Sequence, residues 1–133
     1  MTATTVAIRT EADILVARQT ARAIAAEIGF TRGELAMIAT AISELTRNIV
    51  TYAGEGELRV RLTEANGRRG IEVVLRDEGP GIEDVALAMQ DGYSSGRSLG
   101  LGLPGAKRLM DELAIESAPG RGTTVTATKW ATA

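Results

Sequence analysis

The chain contains no cysteine and no histidine. That excludes a disulfide framework, zinc sites built from thiolates or imidazoles, and every nucleophilic triad that relies on either residue. Its chemistry must be carried by carboxylates, amides, hydroxyls, Lys, Arg, or a metal ion held through oxygen. Aromatics are scarce, and one Phe, two Tyr and one Trp make a poor platform for stacking the bases of a single strand. No apolar run approaches the roughly 18 residues of a membrane span. Met1 to Thr10 lacks a charged start followed by an apolar stretch, so it does not read as a signal peptide, and the expected location is the cytoplasm. Neither sign of charge dominates: 15 basic against 17 acidic residues leave −2. The chain therefore carries no electrostatic footprint for nucleic acid and no basic patch for an anionic membrane.

What is present is ordinary for a globular protein. With 133 residues, 44% hydrophobic and 24% charged, the sequence suits one domain over residues 1–133 with a single core. Val6 and Ile8 alternate in a short strand, Thr4 to Arg9. Ile14, Ala17, Ala21, Ile24 and Ile28 recur at the spacing of one helix face, from about Ala12 to Ile28, with Gly29 as a C-cap. Thr31 followed by Glu34 is a capping-box pattern. It opens a long helix reaching about Tyr52, striped by Leu35, Ile38, Ile42, Leu45, Ile49 and Tyr52 and ended by Gly54 and Gly56.

Two alternating runs, Glu57–Ala65 and Ile71–Asp77, flank Asn66-Gly67 and predict a hairpin. A short helix is expected at about Glu83–Met89, then a Gly/Ser-rich stretch from Gly92 to Gly102, a helix over Pro104–Glu112, and strands Ala114–Ser117 and Thr123–Trp130. Strands and helices come in blocks. The expected fold is therefore α+β, a two-layer sandwich whose mixed, mostly antiparallel sheet is covered by helices on one face.

Four stretches could carry chemistry, and each alone has a plain explanation. Glu44 and Asn48 sit four apart at the edge of the core stripe, as an ordinary i,i+4 pair would. Asp77-Glu78-Gly79-Pro80-Gly81 closes a strand and reads as a common turn. Gly96, Gly100 and Gly102 precede a helix, where glycine-rich backbone can receive an anion or simply form a loop. Gly120-Arg121-Gly122-Thr123-Thr124 is by default a hairpin turn.

In order, however, these stretches resemble the N, G1 and G2 boxes and the terminal Gly-Thr element of the Bergerat (GHKL) ATPase/kinase superfamily. That superfamily is shared by gyrase, heat-shock protein 90, sensor histidine kinases and anti-sigma-factor kinases. The resemblance implies ATP and Mg²⁺ as cofactors. It implies Asn48 as the metal-holding amide, Glu44 as the general base or the group that orients the attacking hydroxyl, and Asp77 as the reader of the adenine amine backed by Thr123. Gly79 and Gly81 would admit the nucleotide, and Gly100 and Gly102 would cradle its phosphates.

With no histidine to phosphorylate and no preceding dimerisation helices, the small serine-kinase branch fits best. The stretches from Met89 to Ser94 and from Leu99 to Glu112 resemble the RsbT-type switch kinases of stressosomes, as do Glu44–Ile49 and Lys129-Trp130. Arg97-Ser98 departs from the glycine-rich pattern of that branch. The resemblance implies STAS-domain scaffold proteins as substrates and a PP2C-type phosphatase as the target activated after release. An anti-sigma factor with serine-kinase activity and a nucleotide-binding adaptor without kinase activity remain as alternatives.

Overall fold

The computed structural model describes residues 3–81 and 103–131. Strand β1 (Thr4–Ile8) leads into α1 (Glu11–Ala25), which tightens into a 3₁₀ turn at Ala26–Ile28 before Gly29. Helix α2 (Arg32–Asn48) starts on the expected capping box. The Thr31 hydroxyl accepts from the Glu34 N–H at 3.1 Å, and the Glu34 carboxylate accepts from the Thr31 N–H at 2.8 Å. A cap of this kind contributes about 1 kcal/mol. Strands β2 (Gly56–Ala65) and β3 (Arg68–Asp77) follow, then α3 (Leu103–Leu109), β4 (Glu112–Ser117) and β5 (Thr123–Trp130).

The five strands form one sheet in the order β1-β2-β3-β5-β4. Every pairing among the described residues is antiparallel, so the expectation of a mixed sheet narrows to an antiparallel one. Asn66 and Gly67 both take positive φ, 55° and 76°, as the tight turn between β2 and β3 requires.

Register explains where the core sits. Because side chains alternate faces along a strand, residues paired across the sheet share a face. One row runs Val6, Leu58, Leu75, Val125 and Ile115, and the next runs Thr4, Val60, Val73, Ala127 and Leu113. Leu58, Val60 and Val73 are fully buried, and each such side chain contributes about 1.5–3 kcal/mol through loss of its water-exposed surface. The helices lie on this face. Ile38, Ile42, Leu45 and Ile49 of the α2 stripe are buried against it, and the small residues Ala17, Ala21 and Ala25 of α1 join the same core. The opposite face carries Arg59, Arg61, Glu72, Arg76 and Thr126, with Arg61 and Glu72 paired at 2.7 Å.

Several boundaries differ from the sequence-based expectation, among them the start of β3 at Arg68 rather than Ile71 and of β4 at Glu112 rather than Ala114. The α2 helix does not keep its pitch to Tyr52. After Asn48 it widens into a π turn, Ile49–Ala53, closed by a bond from the Gly54 N–H to the Ile49 carbonyl at 2.9 Å. Gly56 does not end the helix but begins β2. Helix α3 stops at Leu109 rather than Glu112, because the Asp111 N–H is taken by the Thr128 carbonyl and Glu112 already pairs with Thr128 in the sheet. The helix expected at Glu83–Met89 lies outside the described residues. No helix among the described residues is long and apolar enough to cross a membrane.

Candidate functional site

On the core-facing side, the row next to Val6, Leu58, Leu75, Val125 and Ile115 turns polar. That row runs Ile8, Gly56, Asp77, Thr123 and Ser117. Here two residues spaced two positions beyond buried ones, Asp77 after Leu75 and Thr123 before Val125, bring polar groups onto the face the helices cover. The C-terminal end of α2 passes over the same row. Between them opens a small, partly open cavity. Its walls are apolar, with Leu45 and Ile49 from α2, Leu75 and Val125 from the sheet, and Leu103 from the start of α3. Its polar points are few: Asn48 and Tyr52 on the helix side, Asp77 and Thr123 on the sheet side. Apolar lining with a few hydrogen-bonding groups is the make-up of a small-molecule site.

Asp77 is the most perturbed group in the slot. Burial pushes its carboxyl up from the ordinary value, opposed by the backbone N–H groups of Gly79 and Thr123, which favour the charged form. The Gly79 bond is 2.9 Å, to Oδ1. A carboxylate has about four acceptor positions. Two backbone donors leave it able to accept more from whatever occupies the cavity. Thr123 pairs directly with Asp77 in the ladder, so the two side chains share the face that lines the cavity.

The glycines around the slot have a packing role. A Cβ on Gly79 would lie 2.6 Å from the Ala53 Cβ, inside van der Waals contact. Gly81 has φ 78°, and a Cβ there would strike the Ala118 carbonyl oxygen. The Pro80 carbonyl meanwhile accepts from the Gly120 N–H at 2.8 Å. The strand end, the π turn of α2 and the β4–β5 turn are thus packed backbone to backbone, which side chains at these positions would prevent.

The candidates named from the sequence distribute as follows. Asn48, Asp77, Gly81 and Thr123 line one cavity, and Gly79 adjoins it through Asp77 and Ala53. Glu44 does not line it. One turn back on α2, its side chain is 41% exposed and paired with Arg47 Nη1 at 3.3 Å. Gly100 and Gly102 lie outside the described residues. The apolar walls and Tyr52 were not singled out beforehand. The signals for them existed: Leu45 and Tyr52 are three before and four after Asn48, and Leu75 and Val125 share strand parity with Asp77 and Thr123. Among the described residues no group of three or more Asp, Glu, His or Cys could hold a metal ion.

The chain is also similar to known proteins over most of its length. Residues 9–129 match the family model described as histidine kinase-like ATPase domain. The chain is 48% identical over 125 residues to the serine/threonine-protein kinase RsbT of Bacillus subtilis (strain 168), covering 94% of each. It is 39% identical over 120 residues to an anti-sigma F factor of Caldanaerobacter subterraneus subsp. tengcongensis, covering 86% of this chain and 82% of that one. A further anti-sigma F factor, from Thermoanaerobacter sp. (strain X514), is 37% identical over 119 residues, with the same coverage.

Proposed function

Because the chain belongs to the histidine kinase-like ATPase domain family, in the branch of the serine/threonine-protein kinase RsbT, we propose that it phosphorylates STAS-domain partner proteins in a switching circuit and, once released, activates a PP2C-type phosphatase. Membership makes it a protein serine/threonine kinase that uses ATP; the identity of the partners and the residue roles are the finer part of the reading. The observation that carries it is the meeting of Asn48 from α2 with Asp77 and Thr123 from the sheet around one cavity.

In this reading the adenine enters the apolar slot, with Leu45, Ile49, Leu75 and Val125 against its faces, and its amine donates to Asp77. Tyr52 adds aromatic surface to the same wall. Asn48 is the residue that would hold Mg²⁺, through its amide oxygen, when the ion accompanies the nucleotide. A single protein ligand suits this ion, which keeps waters and takes its remaining oxygens from phosphates. Gly100 and Gly102 complete the phosphate cradle ahead of α3. Glu44, exposed beside the slot, meets the hydroxyl of the arriving partner and takes its proton as the oxygen bonds to the γ-phosphorus and the bond to ADP breaks. The half-exposed position of Glu44 supports a protein acceptor, since a substrate buried in the slot would not reach it. The reading treats residues 1–133 as one such domain working in the cytoplasm.

The test is transfer of label from γ-labelled ATP, with Mg²⁺, to a STAS-domain protein. Labelled Ser or Thr is expected. ATP binding without any transfer would leave a nucleotide-binding adaptor instead. The anti-sigma F factors among the relatives support a second reading, a kinase that also sequesters a sigma factor. Recovery of sigma rather than a phosphatase on the immobilised chain would favour it. The higher identity and fuller coverage of the RsbT relative support the first reading.

A further inference from the structure

The solvent side of α2 carries a stripe that the cavity does not use. Met37, Thr40, Glu44 and Arg47 follow one another at spacings of three, four and three, so they lie along one face of the helix. The residues between them, Ile38, Ala39, Ala41, Ile42, Ser43, Leu45 and Thr46, are buried, which turns this stripe outward. Met37 is 42% exposed, one of three large hydrophobic side chains among the described residues that face solvent to this extent. Arg47 immediately precedes Asn48, which lines the cavity, and its guanidinium rests on the Glu44 carboxylate at 3.3 Å. An exposed i,i+3 pair is weak, so Arg47 can leave Glu44 at little cost. A carboxylate brought up by a docking protein, and dried by the contact, would hold it far more firmly.

We propose that this stripe is the docking ridge for the protein that accepts the phosphoryl group. Glu44 meets the acceptor hydroxyl, Arg47 pairs with an acidic side chain beside that hydroxyl, and Met37 enters an apolar pocket of the partner. From the helix rise, the acidic group sits about 4.5 Å along the axis from the hydroxyl, and the apolar pocket about 10 Å in the other direction. The ridge continues into the cavity through Asn48, so a protein seated on it brings its hydroxyl to the same end of α2 as the nucleotide. Drawing Arg47 onto the partner also leaves the Glu44 carboxylate free to take the hydroxyl proton. The inference rests on the kinase reading above and adds to it the chemistry by which the acceptor is recognised.

The test measures the dissociation constant of the cognate STAS-domain protein by calorimetry, with Mg²⁺ and a non-hydrolysable ATP analogue present. Arg47→Ala should weaken binding by about tenfold or more, and Arg47→Glu further, while Arg47→Lys, which keeps the charge, should stay within about threefold of wild type. Met37→Ala should weaken it by about tenfold. Arg59→Ala, which removes an exposed arginine from the opposite face of the sheet, should leave it within about twofold, and so should every variant's affinity for the ATP analogue alone. Added salt should weaken wild-type binding more than that of Arg47→Ala, which has lost the charge pair. An Arg47 that only staples its helix would lower the melting temperature of Arg47→Ala and leave the dissociation constant unchanged. That result would overturn the proposal, as would failure of the wild-type chain to bind the STAS-domain protein. Failure of the underlying reading looks different: the STAS-domain protein would bind through Met37 and Arg47, yet γ-labelled ATP would leave no label on it.

Discussion

The buried face of the sheet ends in an ionisable side chain on either side, and the two ends differ in what surrounds that group. At one end Lys129 extends the row of Leu62 and Ile71, is 8% exposed, and donates to the Leu109 carbonyl at 2.8 Å. Its charge sits on the last carbonyls of α3, where the helix dipole is negative. At the other end Asp77 is held by two backbone N–H groups and still faces open space. Lys129 ties a helix to a strand. Asp77 destabilises its own charged form and keeps acceptor capacity for a visitor. A buried charge thus marks function when its surroundings leave it partly unsatisfied toward a cavity, and architecture when its partner is another element of the fold.

That contrast is sharpest in what substitutions cost, taken from the largest effect down. Glu44→Ala, beside the Asp77 end, should lower phosphoryl transfer by about 10²–10⁴ with little change in ATP affinity, as removal of a general base does. Single-turnover transfer and equilibrium binding separate the two. Asp77→Asn should weaken ATP binding by about two orders of magnitude, because an amide is a weaker acceptor and brings a competing donor to the adenine amine. Its melting temperature without nucleotide should not fall. A parallel loss of stability would erase the distinction drawn here.

Gly79→Ala should cost about 1–3 kcal/mol in chemical denaturation, since the new methyl would press on Ala53 at 2.6 Å and push the π turn away from the strand end. Lys129→Met should do the reverse of Asp77→Asn. A loss of about 1 kcal/mol is expected, with ATP affinity within about twofold of wild type.

The smallest effect at neutral pH, and a sensitive one, is the pH dependence. The folded Asp77 carboxyl titrates above its ordinary value of 3.8. With the carboxylate accepting the adenine amine as proposed, ATP binding should weaken on acidification earlier than an ordinary Asp would allow. Folding without ligand responds with the opposite sign. A group whose pKa rises on folding contributes stability that is complete below the unfolded value and is lost as pH rises through the folded one. The nucleotide-free protein should accordingly lose this increment as Asp77 ionises, and Asp77→Asn should not.

Much of this was legible in the residues. Alternation set both faces of the β2–β3 hairpin, and Asn66-Gly67 set its turn. The Thr31/Glu34 box marked the start of α2. The polar cluster was legible as motifs, because Asn48, Asp77 and Thr123 belong to a recognisable order. Two features were not. The widening of α2 after Asn48 has no local signature; it sets Ala53 close against Gly79, 26 residues away in sequence. The end of α3 was set by competition, since Lys107 and Arg108 favour a helix terminus near Leu109 while the Glu112 pairing with Thr128 claims the residues beyond it. Strand register likewise decided that Ser117 would adjoin Thr123. Alternation gives the face a side chain occupies but not its neighbour across the ladder.

The central claim is that one purine nucleotide sits between the C-terminal end of α2 and the Asp77 end of the sheet. Amide NMR during titration with Mg-ATP tests it most directly. The account predicts that the largest shifts fall on the backbone amides of Gly79, Gly81 and Thr123 and on the Asn48 side chain, with the outer sheet face around Arg59, Val74 and Thr126 unmoved. Saturable binding that shifts the outer face and leaves Gly79 and Thr123 in place would contradict it.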